Sequence, residues 1–289
     1  DDSNIYVEEF EILKITKRRL YKPARYIESS KYWLNLNPEK NYLIYDIDDN
    51  ELIAIIVRDK LRSDYLTTEL FEYMNQYIFD DYSNNRGDIA GIVNKDKIEK
   101  RWLVKKKWEE YTFNSNGSRS NNSNFNFSNM VYCKTIGKKK DDKKYSFHRK
   151  KGNNELFLKK FEKINKLFNT IYKIFYMDIL DINDEIDNNN EYGVFSTITF
   201  NKSLRSAVHK DKNNTTNFAL CCAVDNKTIS NKFQGGELLL CDYHINTNLR
   251  KNKDIILFKS KNVSHCNNPV ISDNENELNS RVSLVYFSR

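Results

Sequence analysis

Hydrophobic and polar positions follow two different rhythms along this chain. Near the N-terminus, Tyr42-Leu43-Ile44-Tyr45-Asp46-Ile47 and residues 51–58 are apolar runs on either side of Asp48-Asp49-Asn50. Two such runs joined by a short polar turn predict a β-hairpin. Residues 64–80 then carry Leu66, Leu70, Tyr73, Met74, Tyr77 and Ile78, a three-and-four spacing that predicts an amphipathic helix with Ser63 as its cap. The longest apolar stripe lies in residues 155–179, through Leu156, Phe161, Ile164, Leu167, Phe168, Ile171 and Phe175, with Lys and Glu opposite. A helix with one apolar face predicts a brace packed on a sheet. After a polar break at 181–190 the rhythm changes to short runs at 194–200, 217–224, 237–241, 254–259 and 282–287. Short strands parted by polar loops predict a sandwich or jelly roll. Residues 114–129 are rich in Asn and Ser and 138–144 in Lys, both without periodicity. They are read as parts of one disordered insertion at 114–150. The expected architecture is α+β: a mixed α/β part over 1–190 wrapping a barrel-like core over 191–289, together one unit.

Composition narrows the class. The chain has 289 residues, 39% hydrophobic and 30% charged, with only 8 Gly and 3 Pro. That length suffices for a sizeable core, and 13% aromatic residues exclude global disorder. No apolar run nears the roughly 18–20 residues that cross a bilayer. The chain opens on Asp1-Asp2-Ser3-Asn4, with no signal-peptide pattern and no initiator Met, as expected of a piece of a longer protein. Lys, Asn, Ile and Tyr are in excess, as in proteins from A+T-rich genomes. The net charge of +7 therefore reflects codon bias as readily as a polyanionic partner. Trp102 and Trp108 interleave with a Lys-rich run at 100–107, a pattern shared by nucleic-acid surfaces and by solvated helix faces. Five Cys without a framework or a CxxC pair indicate reduced thiols and no structural zinc.

The chemistry lies in scarce residue types. Of four His, His209 stands two residues from Asp211, and His265 follows at a distance. On an extended backbone, residues two apart point the same way. Two His and one carboxylate make the facial triad of non-haem Fe(II) oxygenases, which leaves positions open for a co-substrate and O2. HxD alone recurs by chance, so the order carries more. After His209 and Asp211 come Gly235-Gly236-Glu237-Leu238, then the apolar run through Asp254-Ile255-Ile256-Leu257-Phe258, then His265, then Arg281 before the last strand. A 2-oxoacid co-substrate presents a far carboxylate, and Arg offers it a bidentate fork. His148 and His244 are read as loop residues.

This order resembles the Fe(II)/2-oxoglutarate-dependent oxygenases, whose shared fold is the double-stranded β-helix, a jelly roll. In detail it resembles the TET/JBP family, which oxidises the methyl group of 5-methylcytosine or thymine in nucleic acid. Three segments carry the likeness: Asn85-Arg86-Gly87-Asp88-Ile89-Ala90-Gly91, His209-Lys210-Asp211-Lys212-Asn213-Asn214, and Arg281-Val282-Ser283-Leu284-Val285-Tyr286-Phe287. The likeness spans residues 85–289. It implies that His209, Asp211 and His265 bind Fe(II) and that Arg281, with Arg205, binds 2-oxoglutarate. It further implies that Asn214 and Phe287 meet and stack on the target base, and that Arg86 contacts the substrate. The implied partner is nucleic acid, DNA before RNA, for a monomeric nuclear protein. Two departures stand out. Arg289 occupies a place where the family often has a His, and the loop at 267–280 is long. Two other readings share the pattern: a prolyl-type protein hydroxylase, whose Gly-Gly turn is similar, and a non-catalytic nucleic-acid-binding relative.

Overall fold

The computed structural model describes residues 9–18, 27–58, 129–136, 144–147, 166, 170, 197–202, 206, 208–212, 214, 217–224, 234–249, 254–268, 270–271 and 282–287. Among them the strands are β1 (Phe10–Ile15), β2 (Leu34–Asn35), β3 (Asn41–Asp46), β4 (Leu52–Val57), β5 (Asn129–Ile136), β6 (Lys144–Phe147), β7 (Thr197–Lys202) and β8 (Ala219–Val224). They continue with β9 (Gln234–Gly235), β10 (Leu238–Leu240), β11 (Ile245–Asn246), β12 (Ile255–Phe258), β13 (His265–Asn267), β14 (Val270–Ile271) and β15 (Val282–Phe287). A large sheet runs β1-β3-β4-β12-β8-β15-β7-β5-β6, a smaller one runs β13-β10-β11-β2, and β14 pairs with β9.

The hairpin predicted around Asp48-Asp49-Asn50 is present as the antiparallel pair β3 and β4, and Asn50 takes the left-handed φ of 53° that such a turn asks of a short polar side chain. Alternation then sets the core. Tyr42 lies opposite Ile56, Ile56 opposite Ile256, Ile256 opposite Cys221 and Cys221 opposite Val285. This row crosses five strands of the large sheet and turns one face inward. Leu238, Leu240, Tyr243 and Ile245, from the small sheet and its flanking turn, join the same buried cluster. Two sheets enclosing one core resemble a jelly roll, as the short-strand pattern predicted. All of β4 is buried, because a central strand covered on both faces needs no polar side.

Three sequence expectations change or lie elsewhere. The segment 114–150 was expected to be an insertion, yet β5 and β6 form within it and extend the large sheet beyond β7. Val131, Tyr132, Thr135 and Ile136 are strand formers, and their signal is diluted by the Asn- and Lys-rich flanks. Of the 155–179 helix, Lys166 and Thr170 are described; both are helical, and the Thr170 hydroxyl donates to the Lys166 carbonyl at 2.9 Å. The helix at 64–80 lies outside the described residues.

Buried polar groups tie the sheets to the loops. Arg58, directly after β4, pairs with Asp254 at 2.9 Å in an environment where both side chains are almost fully buried. Tyr243 donates its hydroxyl to Asp46 at 2.7 Å, and Lys17 approaches the same carboxylate at 3.0 Å. Burial opposes ionisation of Asp46. The hydrogen bonds from Tyr243, Lys17 and the Asp48 amide outweigh it and hold the carboxyl below its ordinary value of 3.8. A depressed folded-state pKa contributes stability above the ordinary carboxylate value and loses it as pH falls through the folded value. The wild-type protein is therefore expected to lose stability on acidification below about pH 4. Tyr243→Phe should be less stable at neutral pH and lose less on acidification. Thermal melts of both proteins from neutral to acid pH check this; parallel pH profiles would contradict it.

Cys222, Cys241 and Cys266 are free and buried, and Cys221 is also buried. Reduced thiols were expected from the lack of a cysteine framework. Burial, then the neighbouring thiol, raises the Cys222 and Cys241 pKa values.

Candidate metal centre

The site is assembled from three backbone segments. Residues 208–211 run antiparallel to the start of β13: the His209 amide donates to the His265 carbonyl at 3.1 Å and the His265 amide to the His209 carbonyl at 2.9 Å. This exchange puts two imidazoles side by side, their ring centroids 4.2 Å apart. Asp211 is fixed separately, its amide donating to the Ser260 carbonyl just past β12 at 3.0 Å. The chain then turns, with the Asn214 amide donating back to the Asp211 carbonyl at 3.0 Å. The carboxylate is thus held by backbone on both sides of its Cα.

The side chains converge. The Nε2 atoms of His209 and His265 each lie 3.6 Å from a different oxygen of Asp211. The ligand atoms of the three residues all lie within 4.8 Å of one another. A separation of 3.6 Å is too long for a hydrogen bond. Atoms bonded to one transition-metal ion at ~2.1 Å lie at most about 4.2 Å apart, so both His–Asp spacings suit an ion between them. The His265 tautomer points the same way. Its Nδ1 is 3.0 Å from the Val263 carbonyl, a partner that can only accept. In the neutral ring Nδ1 therefore carries the proton and Nε2 keeps its lone pair, the arrangement common to metal-binding His. Phe258 packs edge-on against the His265 ring at 4.9 Å and links the ligand to the core. The donor set, two imidazoles and one carboxylate on neighbouring strands, fits Fe(II). It matches the facial triad that holds Fe(II) in 2-oxoglutarate-dependent dioxygenases.

The other expected site residues divide. Arg86, Arg205 and Arg281 lie outside the described residues. Asn214 is buried, and its amide nitrogen donates to the Ser260 hydroxyl at 3.3 Å. Phe287 ends β15 inside the core cluster, with 7% of its surface exposed. His244, read as a loop residue, follows the small turn at 241–243 with a φ of 55° and stacks on Trp33 at 5.0 Å. Asp242 gave no signal in the sequence. Its role depends on which segments the fold brings against it.

No protein-family model matches the sequence, and no curated protein matches it. Solved structures of low likeness do. NgTET1 in complex with 5mC DNA aligns over 92% of this chain and 82% of its own, at 14% identity and a TM-score of 0.44. OsALKBH1 aligns over 81% of this chain and 97% of its own, at 11% identity and a TM-score of 0.40. An oxidoreductase of the 2OG-Fe(II) oxygenase family from Burkholderia pseudomallei aligns over 55% of this chain and 64% of its own, at 18% identity and a TM-score of 0.34. At this level of likeness the site, not the superposition, decides the reading.

Proposed function

We propose that this chain is a 2-oxoglutarate-dependent dioxygenase of the TET/JBP kind, which oxidises the methyl group of 5-methylcytosine or thymine in nucleic acid, DNA before RNA. The observation that carries the oxygenase part is the convergence of His209, Asp211 and the tautomer-fixed His265. The pyrimidine part rests on the sequence resemblance.

Fe(II) held by these three residues would supply, with 2-oxoglutarate and O2, the oxidising power for a C–H bond. The protein's own groups do the rest. Arg281 directly precedes β15 and would clamp the far carboxylate of 2-oxoglutarate through a bidentate fork, with Arg205 as a second cation. A base stacked in a duplex cannot reach such a centre, so it must be extruded or arrive single-stranded. Phe287 would stack on it and Asn214 would meet its polar edge. The Asn214 amide nitrogen donates one hydrogen to Ser260, and its side-chain oxygen would be the group offered to the base. That acceptor matches the amino group of a cytosine. Lys212 and Arg86 would face phosphates. A DNA substrate would place the protein in the nucleus of a cell that has one. No helix among the described residues is long and apolar enough to cross a membrane.

The test is a substrate panel. The protein is incubated with Fe(II), 2-oxoglutarate and air, and with oligonucleotides carrying 5-methylcytosine or thymine or with a proline-rich peptide. Products are read by mass spectrometry of nucleosides and peptides. A hydroxymethyl pyrimidine is the expected product. A hydroxylated peptide with untouched oligonucleotides would instead make the chain a protein hydroxylase.

A further inference from the structure

We infer that Asp242 is a positioning residue for the metal centre, tying together from behind the two chain segments that carry its ligands. The inference rests on the metal-site reading and goes beyond it, because Asp242 binds no metal in that reading. Asp242 lies in the 3₁₀ turn Cys241–Tyr243 that follows β10 and is fully buried. One carboxylate oxygen, Oδ2, accepts the Ser264 amide at 2.9 Å, and Ser264 precedes the ligand His265. The same oxygen lies 3.5 Å from the Lys210 ammonium, and Lys210 stands between the ligands His209 and Asp211. The preceding residue strengthens the grip: the Cys241 amide donates to the Ser264 carbonyl at 2.7 Å. Consecutive residues of one turn therefore hold both backbone groups of Ser264, while the side chain of Asp242 reaches the other ligand segment. Those two segments meet directly through the His209–His265 backbone exchange. Asp242 fixes their relative placement one residue away from each imidazole.

A second observation argues that this carboxylate is more than packing. Its other oxygen, Oδ1, is buried without a hydrogen-bond partner among the described residues. A buried, half-satisfied carboxylate is costly. A neutral amide at this place would relieve that cost and still offer Ser264 an acceptor. It would lose the attraction to Lys210. Stability alone does not call for the charge, whereas alignment of two ligand segments does. Ligand-orienting partners of this kind change metal affinity by about 10- to 100-fold.

The experiment uses Co(II) as the probe, titrated anaerobically into the full chain and read by its visible absorption. Asp242→Asn and Lys210→Met are compared with wild type and with His209→Ala, and the fold of each is verified by circular dichroism and a thermal melt. Asp242→Asn is expected to melt near the wild-type temperature, to bind Co(II) about 10-fold or more weakly, and to show an altered absorption spectrum. Lys210→Met, at a partly exposed position, should change affinity in the same direction and by less. Asp242→Asn added to Lys210→Met should then cost less than it does alone. Wild-type affinity and spectrum in both variants would overturn the inference. Should Asp242→Asn not fold, a role in stability alone is shown if Lys210→Met also binds as wild type. Absence of Co(II) binding by the wild-type chain overturns the metal-site reading itself, and this inference with it.

Discussion

Asp211→Ala is expected to lower Fe(II) affinity by more than about 100-fold, the upper end of what loss of a mere ligand-orienting partner costs, and to abolish turnover. Asp211 brings the negative charge of the triad. Without it, two neutral imidazoles face a doubly charged ion, and one of the positions set by the protein is lost. The local fold should survive, because the chain at 211 is held by its own backbone, through the amide bond to Ser260 and the carbonyl bond from Asn214. The melting temperature should stay near that of wild type while metal binding collapses. Competition against a chelating dye under anaerobic conditions, together with a thermal melt, separates the two quantities. Retention of tight Fe(II) binding by a folded Asp211→Ala protein would mean that the ion sits elsewhere.

The largest loss of stability is expected from Arg58→Met. The guanidinium donates to five acceptors among the described residues. Nε donates to the Lys40 carbonyl at 3.1 Å, Nη1 to the Asn248 carbonyl at 3.1 Å and Asp254 at 2.9 Å, and Nη2 to the Asn37 carbonyl at 3.2 Å and Thr247 at 2.8 Å. It therefore joins the loop before β3, the stretch after β11 and the residue before β12. Both members of the Arg58–Asp254 pair are almost fully buried. Removing one member of such a buried pair costs about 3–5 kcal/mol, or a fall of roughly 10 °C in melting temperature. Arg58→Lys keeps a charge but not the planar fork, and should fall between the two. Arg58→Met combined with Asp254→Leu should recover part of the loss, since a buried pair replaced by apolar groups leaves no orphan charge. Urea or thermal denaturation measures all four proteins. A double variant less stable than Arg58→Met would show that Asp254 has a further partner of equal weight.

What the sequence revealed followed from burial. The final strand, Val282–Phe287, lies where its short apolar run put it, because nearly all of it is buried. The hairpin β3–β4 was legible for the same reason and for its Asp-Asp-Asn turn. By contrast β1 is an edge strand among the described residues, with half of its side chains exposed. With one neighbour, β3, and little burial, Phe10–Ile15 leaves almost no periodic trace, and parallel pairing has no local turn to announce it. The strands β5 and β6 were obscured by their polar flanks, and two-residue strands such as β9 and β11 are too short to carry a pattern. The metal ligands were legible because His is scarce in this chain and HxD fixes two ligands within three residues. Asp242 was not, because its partners Lys210 and Ser264 lie more than twenty residues away in opposite directions. Only the folded chain shows that they flank the same centre.

The most direct test of the account is a single turnover. Wild-type protein and Asp211→Ala are loaded anaerobically with Fe(II) and 2-oxoglutarate beside a 5-methylcytosine oligonucleotide, air is admitted, and succinate and oxidised nucleoside are counted together. Succinate and hydroxymethylcytosine are expected in equal amounts from the wild-type protein, and neither from Asp211→Ala. Equal succinate from both proteins, or none from wild-type protein shown to hold one Fe(II), would contradict it.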